Sequence, residues 1–165
     1  CRTHMTMWCM MNAPLMLGLD LRRLQKGDEI WQIIANRAVI ALNQDPLGVQ
    51  AKRIWCSMER EQPDTTYITD NNRVDILTKP LADGAVAICF INLSTKCYEE
   101  EVSIRVEEID RYIGPKMADR ERFLRASVYQ ITDLWTGRQE ENVTGCFSVN
   151  RLEACDSVTW RIMPV

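Results

Sequence analysis

The chain has 165 residues, with 20 lysines and arginines against 23 aspartates and glutamates, a formal net charge of −3, and 46% apolar residues. This composition is typical of a soluble domain with a buried core. The weak acidity argues against a nucleic-acid binder, which usually presents a basic face. No membrane span is expected either, because the longest uncharged stretch, residues 3–19, contains His4, Asn12 and Pro14 and barely reaches a spanning length.

The chain opens with a predicted helix over residues 3–13, which is apolar on nearly every side and therefore expected to be buried. Pro14 should end it, because a proline ring does not fit inside a helix. The apolar run Leu15–Leu19 follows and is typical of a parallel strand that is covered on both faces. Asp20 would then lie at the carboxyl end of that strand.

Two short helices and a turn complete the N-terminal region. Asp28 and Glu29 suit the first turn of a helix, where negative charge meets the positive end of the dipole. Asn36 is a predicted N-cap for a helix over residues 37–42. The segment Asp45–Gly48 is a predicted turn, in which Gly48 permits a positive φ angle.

After Gly48 the pattern becomes one of short β-segments. The predicted strands are Arg53–Met58, Val74–Thr78, Ala85–Asn92, Glu100–Val106, Ser127–Asp133, Gly145–Val149 and Ser157–Met163. Residues 82–84 predict a hairpin turn, and the polar stretch Asp110–Arg125 is expected to be an insertion that is partly helical. Many short strands separated by turns are typical of an antiparallel sandwich.

This order divides the chain into two predicted parts. Residues 1–48 contain one predicted strand, which cannot form a sheet alone, so they are interpreted as the end of a larger βα domain. Residues 49–165 are predicted to form an antiparallel β-sandwich domain. Because the chain begins at Cys1 with no signal-peptide pattern, it is interpreted as a fragment.

Four segments carry a resemblance to glycoside hydrolase family 27, the α-galactosidases and α-N-acetylgalactosaminidases. They are Arg2–Gly18, Val39–Gly48, Lys79–Gly84 and Asp133–Gly137. Asp20-Leu21-Arg22 is also similar to an Asn-Asp-Leu-Arg segment of that family, with Leu19 in place of the usual Asn. The resemblance is specific over residues 2–48 and patchy over residues 73–165.

The resemblance implies a fold class of α/β plus all-β, with the last βα portion of a (β/α)8 TIM barrel followed by a C-terminal antiparallel β-sandwich. It also implies a parent enzyme that hydrolyses terminal α-galactosides with retention, using two aspartates on earlier barrel strands. The motifs that carry those aspartates are absent here, so no catalytic residue is assigned to this chain, which is expected to be inactive by itself. The substrate would bind through the rest of the barrel, without a cofactor.

Asp20 is the one candidate for substrate binding. It is the only carboxylate just past a predicted barrel strand, on the face where barrel active sites lie. A retaining glycosidase needs two carboxyl groups about 5–5.5 Å apart, so Asp20 alone is not a catalytic pair. The alternative role is to hold Arg22 by a charge-assisted hydrogen bond.

The remaining candidates favour packing over chemistry. His4 is the only histidine and is interpreted as a core residue. Trp55, Trp135 and Trp160 could stack on sugars, which would make the chain a carbohydrate-binding or interaction module, but packing within or between domains is favoured. The sequence leaves open whether the chain forms a homo-oligomer.

Seven cysteines with no C-x-x-C pair, and only one histidine, argue against a metal site. Free thiols favour a reducing, cytoplasmic location, although the localisation is otherwise unknown. The tripeptides Asn92-Leu93-Ser94 and Asn142-Val143-Thr144 match the glycosylation acceptor pattern, which has meaning only on a secretory route.

Overall fold

The computed structural model describes residues 2–58 and 73–165. Its helices are α1 (Arg2–Met10), α2 (Glu29–Ile34), α3 (Arg37–Asn43), α4 (Val106–Ile113) and α5 (Arg120–Arg125). Its strands are β1 (Lys52–Cys56), β2 (Val74–Pro80), β3 (Val86–Asn92), β4 (Val102–Arg105), β5 (Tyr129–Asp133), β6 (Gln139–Val143), β7 (Cys146–Val149) and β8 (Ser157–Pro164). Among the described helices, none is long and apolar enough to cross a membrane.

The strands form two antiparallel sheets. One has six strands in the order β1-β2-β3-β8-β5-β6, and the other pairs β4 with β7. Each of the seven predicted β-segments overlaps an observed strand, and the expected antiparallel β-architecture is confirmed. β6 was not predicted, because four of its five residues are exposed and it carries no apolar alternation.

The central strands β2 and β3 are buried along their whole length. Because successive side chains of a strand point to opposite faces, each of these strands contributes to two cores. On one face, Ile76 and Phe90 pack with β4, β7 and Ile109 of α4 in the first core. On the other face, Leu77 and Cys89 pack with α1, α2 and α3 in the second core. We call these three helices the N-terminal helical layer.

The first helix ends at Met10, earlier than predicted, and an asparagine two residues later, not the proline, closes its C-terminal end. Asn12 has a φ of 52°, the left-handed conformation that closes a Schellman motif. The motif is completed by hydrogen bonds from the N–H of Ala13 to the carbonyl of Trp8, at 2.9 Å, and from the N–H of Asn12 to the carbonyl of Cys9, at 3.4 Å. The helix has therefore already ended when the chain reaches Pro14.

The predicted strand Leu15–Leu19 is wrong. The segment has no regular secondary structure, and the side chains of Met16 and Leu17 are 80% and 41% exposed. No described strand pairs with it, so its backbone gains no ladder of hydrogen bonds. The barrel portion expected for residues 1–48 is not shown by this architecture, and the boundary between residues 1–48 and 49–165 remains a prediction.

The local signals for the other N-terminal elements are confirmed. The side chain of Asn36 accepts a hydrogen bond from the N–H of Val39 at 3.1 Å and so caps α3. Gly48 has a φ of 67°, as expected for the turn that follows. The stretch Asp110–Arg125 is partly helical, as predicted, and Arg120 is paired to Asp110 at 2.6 Å.

Two buried thiols predict an alkaline limit to stability. Burial raises the pKa of Cys89 to about 12 and that of Cys9 to about 11, against an ordinary value of 9.0. Between about pH 9 and those values, the unfolded chain loses thiol protons that the folded chain keeps. The free energy of unfolding should therefore fall as the pH rises, by about 1.4 kcal/mol per pH unit for each thiol.

Urea unfolding of the chain at several pH values from 8 upward would measure this slope. The Cys89→Ala variant should show a shallower fall than the wild type, whereas Cys146→Ala, which alters an exposed thiol, should not. Equal slopes in Cys89→Ala and the wild type would contradict the assignment.

Candidate functional site

Asp20 lies in an irregular segment just before a short 3-10 turn, Leu21–Arg23. Its carboxylate accepts hydrogen bonds from the backbone N–H of Arg22 at 3.1 Å and from the same residue's Nε at 2.9 Å and Nη2 at 3.1 Å. Both side chains face solvent, with exposed fractions of 39% for Asp20 and 90% for Arg22. The alternative predicted for Asp20, that it holds Arg22, is therefore the contact observed.

This environment defines what Asp20 can do chemically. The Arg22 guanidinium, followed by the Arg22 backbone N–H, lowers the pKa of Asp20 below its ordinary value. A carboxylate held in the ionised form can accept hydrogen bonds from sugar hydroxyls, but it is a poor general acid, which needs a raised pKa. Asp20 is thus suited to binding or loop ordering.

The interpretation of His4 as a core residue is wrong. The histidine is exposed on α1, and its ring lies against the ring of Trp8 with a centroid separation of 4.3 Å. Together these two rings line an apolar cavity of about 260 Å³, which we call the α1 cavity. Its other lining residues are Met5, Leu17, Gly18, Leu19, Ile30, Ile33 and Ile34.

The three tryptophans singled out in the sequence are used for packing. Trp55 and Trp160 are partly buried against the first core, and the ring of Trp160 meets that of Phe90 edge-on at 5.3 Å. Trp135 lies in the turn after β5, not in a strand, and its indole N–H donates to the hydroxyl of Thr6 on α1 at 3.0 Å. It thus joins the N-terminal helical layer to the sheet.

Lys79 forms the centre of that junction, and sequence reasoning missed it. The side chain is fully buried in β2, and its Nζ donates to Oδ1 of Asn12 and to the carbonyl of Leu42, both at 2.6 Å. These acceptors lie at the C-terminal ends of α1 and α3, where the helix dipole favours a positive charge. Burial lowers the pKa of Lys79, and the nearby Asp45 carboxylate opposes that shift.

The Asp45 turn docks on the hairpin turn between β2 and β3. Its carboxylate oxygens both lie 3.1 Å from the backbone N–H of Ala82, and Oδ1 also accepts from the N–H of Leu47 at 3.0 Å. Two of the segments that carry the family resemblance, 39–48 and 79–84, therefore contact each other. Asp45 and Ala82 are 37 positions apart in the chain, so a local sequence pattern does not predict their contact.

Within residues 2–58 and 73–165, no group of three or more His, Cys, Asp or Glu side chains is placed to hold a metal ion. The carboxylates of Asp83 and Asp110 are paired with Arg161 and Arg120.

Two families match the chain. The family described as "Alpha galactosidase C-terminal beta sandwich domain" matches residues 71–162, and the family described as "Alpha galactosidase A" matches residues 1–45. The first covers more than half of the sequence. The second covers the helical layer through Asp45.

Two curated relatives are named as an α-galactosidase and an α-N-acetylgalactosaminidase. An "Alpha-galactosidase" of Zygotorulaspora mrakii is 30% identical over 142 residues, covering 86% of this chain and 27% of the relative. An "Alpha-N-acetylgalactosaminidase" of Gallus gallus is 32% identical over 137 residues, covering 83% of this chain and 27% of the relative. The chain thus spans little more than a quarter of the length of these relatives.

Solved structures show the same fold. An α-galactosidase from Saccharomyces cerevisiae superimposes with a TM-score of 0.76 at 18% identity, covering 99% of this chain and 43% of that one. A protein from Bacteroides fragilis described as a "putative alpha-galactosidase/melibiase" superimposes with a TM-score of 0.69 at 26% identity, covering 98% of this chain and 28% of that one. The two sheets and the N-terminal helical layer are therefore an arrangement that is also found within larger proteins.

Proposed function

We propose that this chain, which belongs to glycoside hydrolase family 27, forms the C-terminal part of a longer enzyme. That enzyme hydrolyses terminal non-reducing α-D-galactosyl residues with retention. The observation that carries the proposal is the family match over residues 71–162, on an antiparallel sheet that the relatives share. The names of the relatives, α-galactosidase and α-N-acetylgalactosaminidase, support the class of substrate. The choice between galactose and N-acetylgalactosamine is left to residues outside this chain.

Within that enzyme, this chain acts as a scaffold. Retaining hydrolysis needs a nucleophilic carboxylate and a second carboxyl group that first donates a proton. The pKa values of Asp20, Asp83 and Asp110 are all lowered. Hydrogen bonds from Arg22 and Arg120 are the largest cause for Asp20 and Asp110. Burial raises the pKa of Asp83, but hydrogen bonds from Arg161 and the backbone together outweigh it. A lowered pKa is the opposite of what a general acid requires. The motifs that carry the catalytic aspartates in the resembling family are absent from this sequence, so we assign those aspartates to the part of the enzyme that precedes this chain.

The N-terminal helical layer gives the scaffold its point of attachment. Its inner side packs on the six-stranded sheet, while α2 exposes Ile30 and Trp31, at 53% and 36%, and the irregular segment after α1 exposes Met16 at 80%. An exposed apolar surface of this kind marks a contact with other protein. We assign that contact to the preceding barrel of the same enzyme, which would also cover the α1 cavity.

Asp20 is proposed to lie beside the substrate site of the whole enzyme. Its ionised carboxylate could accept hydrogen bonds from sugar hydroxyls, and its hold on Arg22 would order the segment that presents it. In an enzyme extended upstream through the barrel, Asp20→Asn should raise KM more than it lowers kcat if Asp20 binds substrate. A variant with wild-type kinetics would restrict Asp20 to ordering the loop.

The proposal is tested by comparing the 165-residue chain with a chain extended upstream through the whole barrel. Release of nitrophenol from a nitrophenyl α-galactoside should remain at background for the 165-residue chain, because it lacks the carboxyl pair and the closed pocket that positions the sugar. The extended chain should release it readily.

Two results would contradict this function. Turnover by the 165-residue chain that disappears in Asp20→Asn would make Asp20 catalytic. An inactive extended chain in which the 165-residue part binds α-galactosides would favour the alternative, a carbohydrate-binding or interaction module.

A further inference from the structure

The two glycosylation tripeptides lie in opposite environments. Asn92-Leu93-Ser94 begins at the last residue of the central strand β3, whereas Asn142-Val143-Thr144 begins near the end of the edge strand β6 and extends one residue beyond it. A glycan is a large hydrophilic group that requires a surface position. The folded structure can therefore discriminate between two motifs that are equivalent as sequences.

Asn92 is closed to modification in the folded chain. Its side chain is fully buried, and its Nδ2 donates to the carbonyls of Lys96, Leu152 and Glu153 at 2.8, 3.1 and 3.0 Å. Its Oδ1 accepts from the N–H of Ser94 at 2.9 Å. A sugar on Nδ2 would remove this network and would have to occupy the protein interior.

Asn142 is open on every count. The residue is exposed, as are its neighbours Glu141 and Thr144. It has a φ of 59° and lies at a register irregularity between β5 and β6, where Tyr129 pairs with Val143 but Ile131 pairs with Glu140. Such a bulge leaves one residue out of the ladder. A substituent on Asn142 would therefore displace no strand pairing.

We propose that Asn142 is an N-glycosylation site of this protein and that Asn92 is not. The co-reactant is a lipid-linked oligosaccharide diphosphate. The amide nitrogen of Asn142 forms a bond to the anomeric carbon of the sugar, the bond from that carbon to the diphosphate oxygen breaks, and the amide loses one proton as the lipid diphosphate leaves. No group is oxidised or reduced.

A glycan at this position would protect the edge of the sheet. β6 is the outermost strand of the six-stranded sheet, and edge strands that expose unpaired backbone groups invite pairing with other chains. The site also implies a secretory route, which is opposite to the cytoplasmic location that the free cysteines favoured. The inference stands apart from the proposed function, because it concerns a surface on the edge of the six-stranded sheet and no catalytic group.

To test this, the 165-residue chain is fused to a secretory signal and translated in vitro in the presence of microsomes. This assay measures glycan transfer to the chain and does not require the chain to be secreted. We expect a glycosidase-sensitive increase in mass. Thr144→Val, which keeps the side-chain shape but removes the hydroxyl of the motif, should abolish the increase at Asn142. Thr144→Ser, which retains the motif, should preserve it.

Peptide mapping after enzymatic glycan removal then assigns the site in chain secreted from a eukaryotic host. Deglycosylation converts the occupied asparagine to aspartate, so the change should appear at Asn142 and be absent at Asn92. An unglycosylated wild-type chain in the microsomal reaction would overturn the proposal. So would an Asn142 glycan that persists in Thr144→Val, or occupancy of Asn92 in folded, secreted protein.

Discussion

Replacing Lys79 by methionine should destabilise the chain by about 2–4 kcal/mol. The substitution keeps most of the side-chain volume but leaves the carbonyl of Leu42 and Oδ1 of Asn12 without the donor that now lies 2.6 Å from each. An unsatisfied buried acceptor costs about 1–3 kcal/mol, and the relief of burying an ammonium offsets part of that sum. Urea unfolding would measure the difference.

The matched control is Lys96→Met, which removes an exposed lysine and should change the free energy of unfolding by less than about 0.5 kcal/mol. Hydrogen exchange should localise the effect of Lys79→Met, with faster exchange in α1 and α3 than in β3. A Lys79→Met chain as stable as Lys96→Met, or one in which all elements lose protection equally, would show that the lysine does not clamp the helical layer.

Replacing Asn92 by aspartate should be a second severe change, although the two side chains have nearly the same shape. The variant keeps the oxygen that accepts from Ser94 but presents a second oxygen to three carbonyls that now receive hydrogen bonds from Nδ2. Burial and those carbonyl dipoles would raise the pKa of the new carboxyl group. At pH 7 we expect a loss of about 3–5 kcal/mol.

The pH dependence provides a specific signature. Since the folded pKa of the new carboxyl would lie above its unfolded value, its penalty shrinks as the pH falls toward that unfolded value. The difference between Asn92→Asp and the wild type should therefore be smaller at pH 4 than at pH 7. Asn150→Asp, at an exposed position, should show little loss at either pH. A loss for Asn92→Asp that does not change with pH would refute this account of the site.

The features predicted correctly from the sequence are those that depend on near neighbours in the chain. The Asn36 cap involves Val39 only three positions away, and the turn at Gly48 depends on that residue's own backbone. The strand β4 alternates between buried and exposed residues, as the spacing of Val102 and Ile104 in the sequence indicates. Local chemistry of this kind is visible in a single sequence.

The features missed from the sequence depend on distant partners. Lys79 meets acceptors 67 and 37 positions away, so its letter alone could not distinguish a buried clamp from a surface charge. The apolar run Leu15–Leu19 was predicted as a strand because apolar content does not reveal whether a partner strand exists. His4 was misplaced for a similar reason, since its burial depends on what covers the outer side of α1.

The candidate site was predicted only in outline. Asp20 and its partner Arg22 are two positions apart, so their pairing could be foreseen as an alternative. Whether Asp20 meets a substrate depends on chain that precedes residue 1 in the proposed enzyme, and no pattern within these residues encodes it. The expected activity and substrate class came from the family resemblance and not from local patterns. Two of the segments that carry this resemblance contact each other through Asp45 and Ala82.

The order of strands has a consequence for how the chain folds during its synthesis on the ribosome. β8 follows every other strand in the chain, yet it lies in the middle of the six-stranded sheet, between β3 and β5. During synthesis the three-stranded unit β1-β2-β3 and the hairpin β5-β6 can form separately. The edges of β3 and β5 that will pair with β8 stay unpaired until β8 emerges and joins the two units. The nascent chain must therefore protect two incomplete edges until its last strand arrives, which makes slow closure and dependence on chaperones the expected features of its biogenesis.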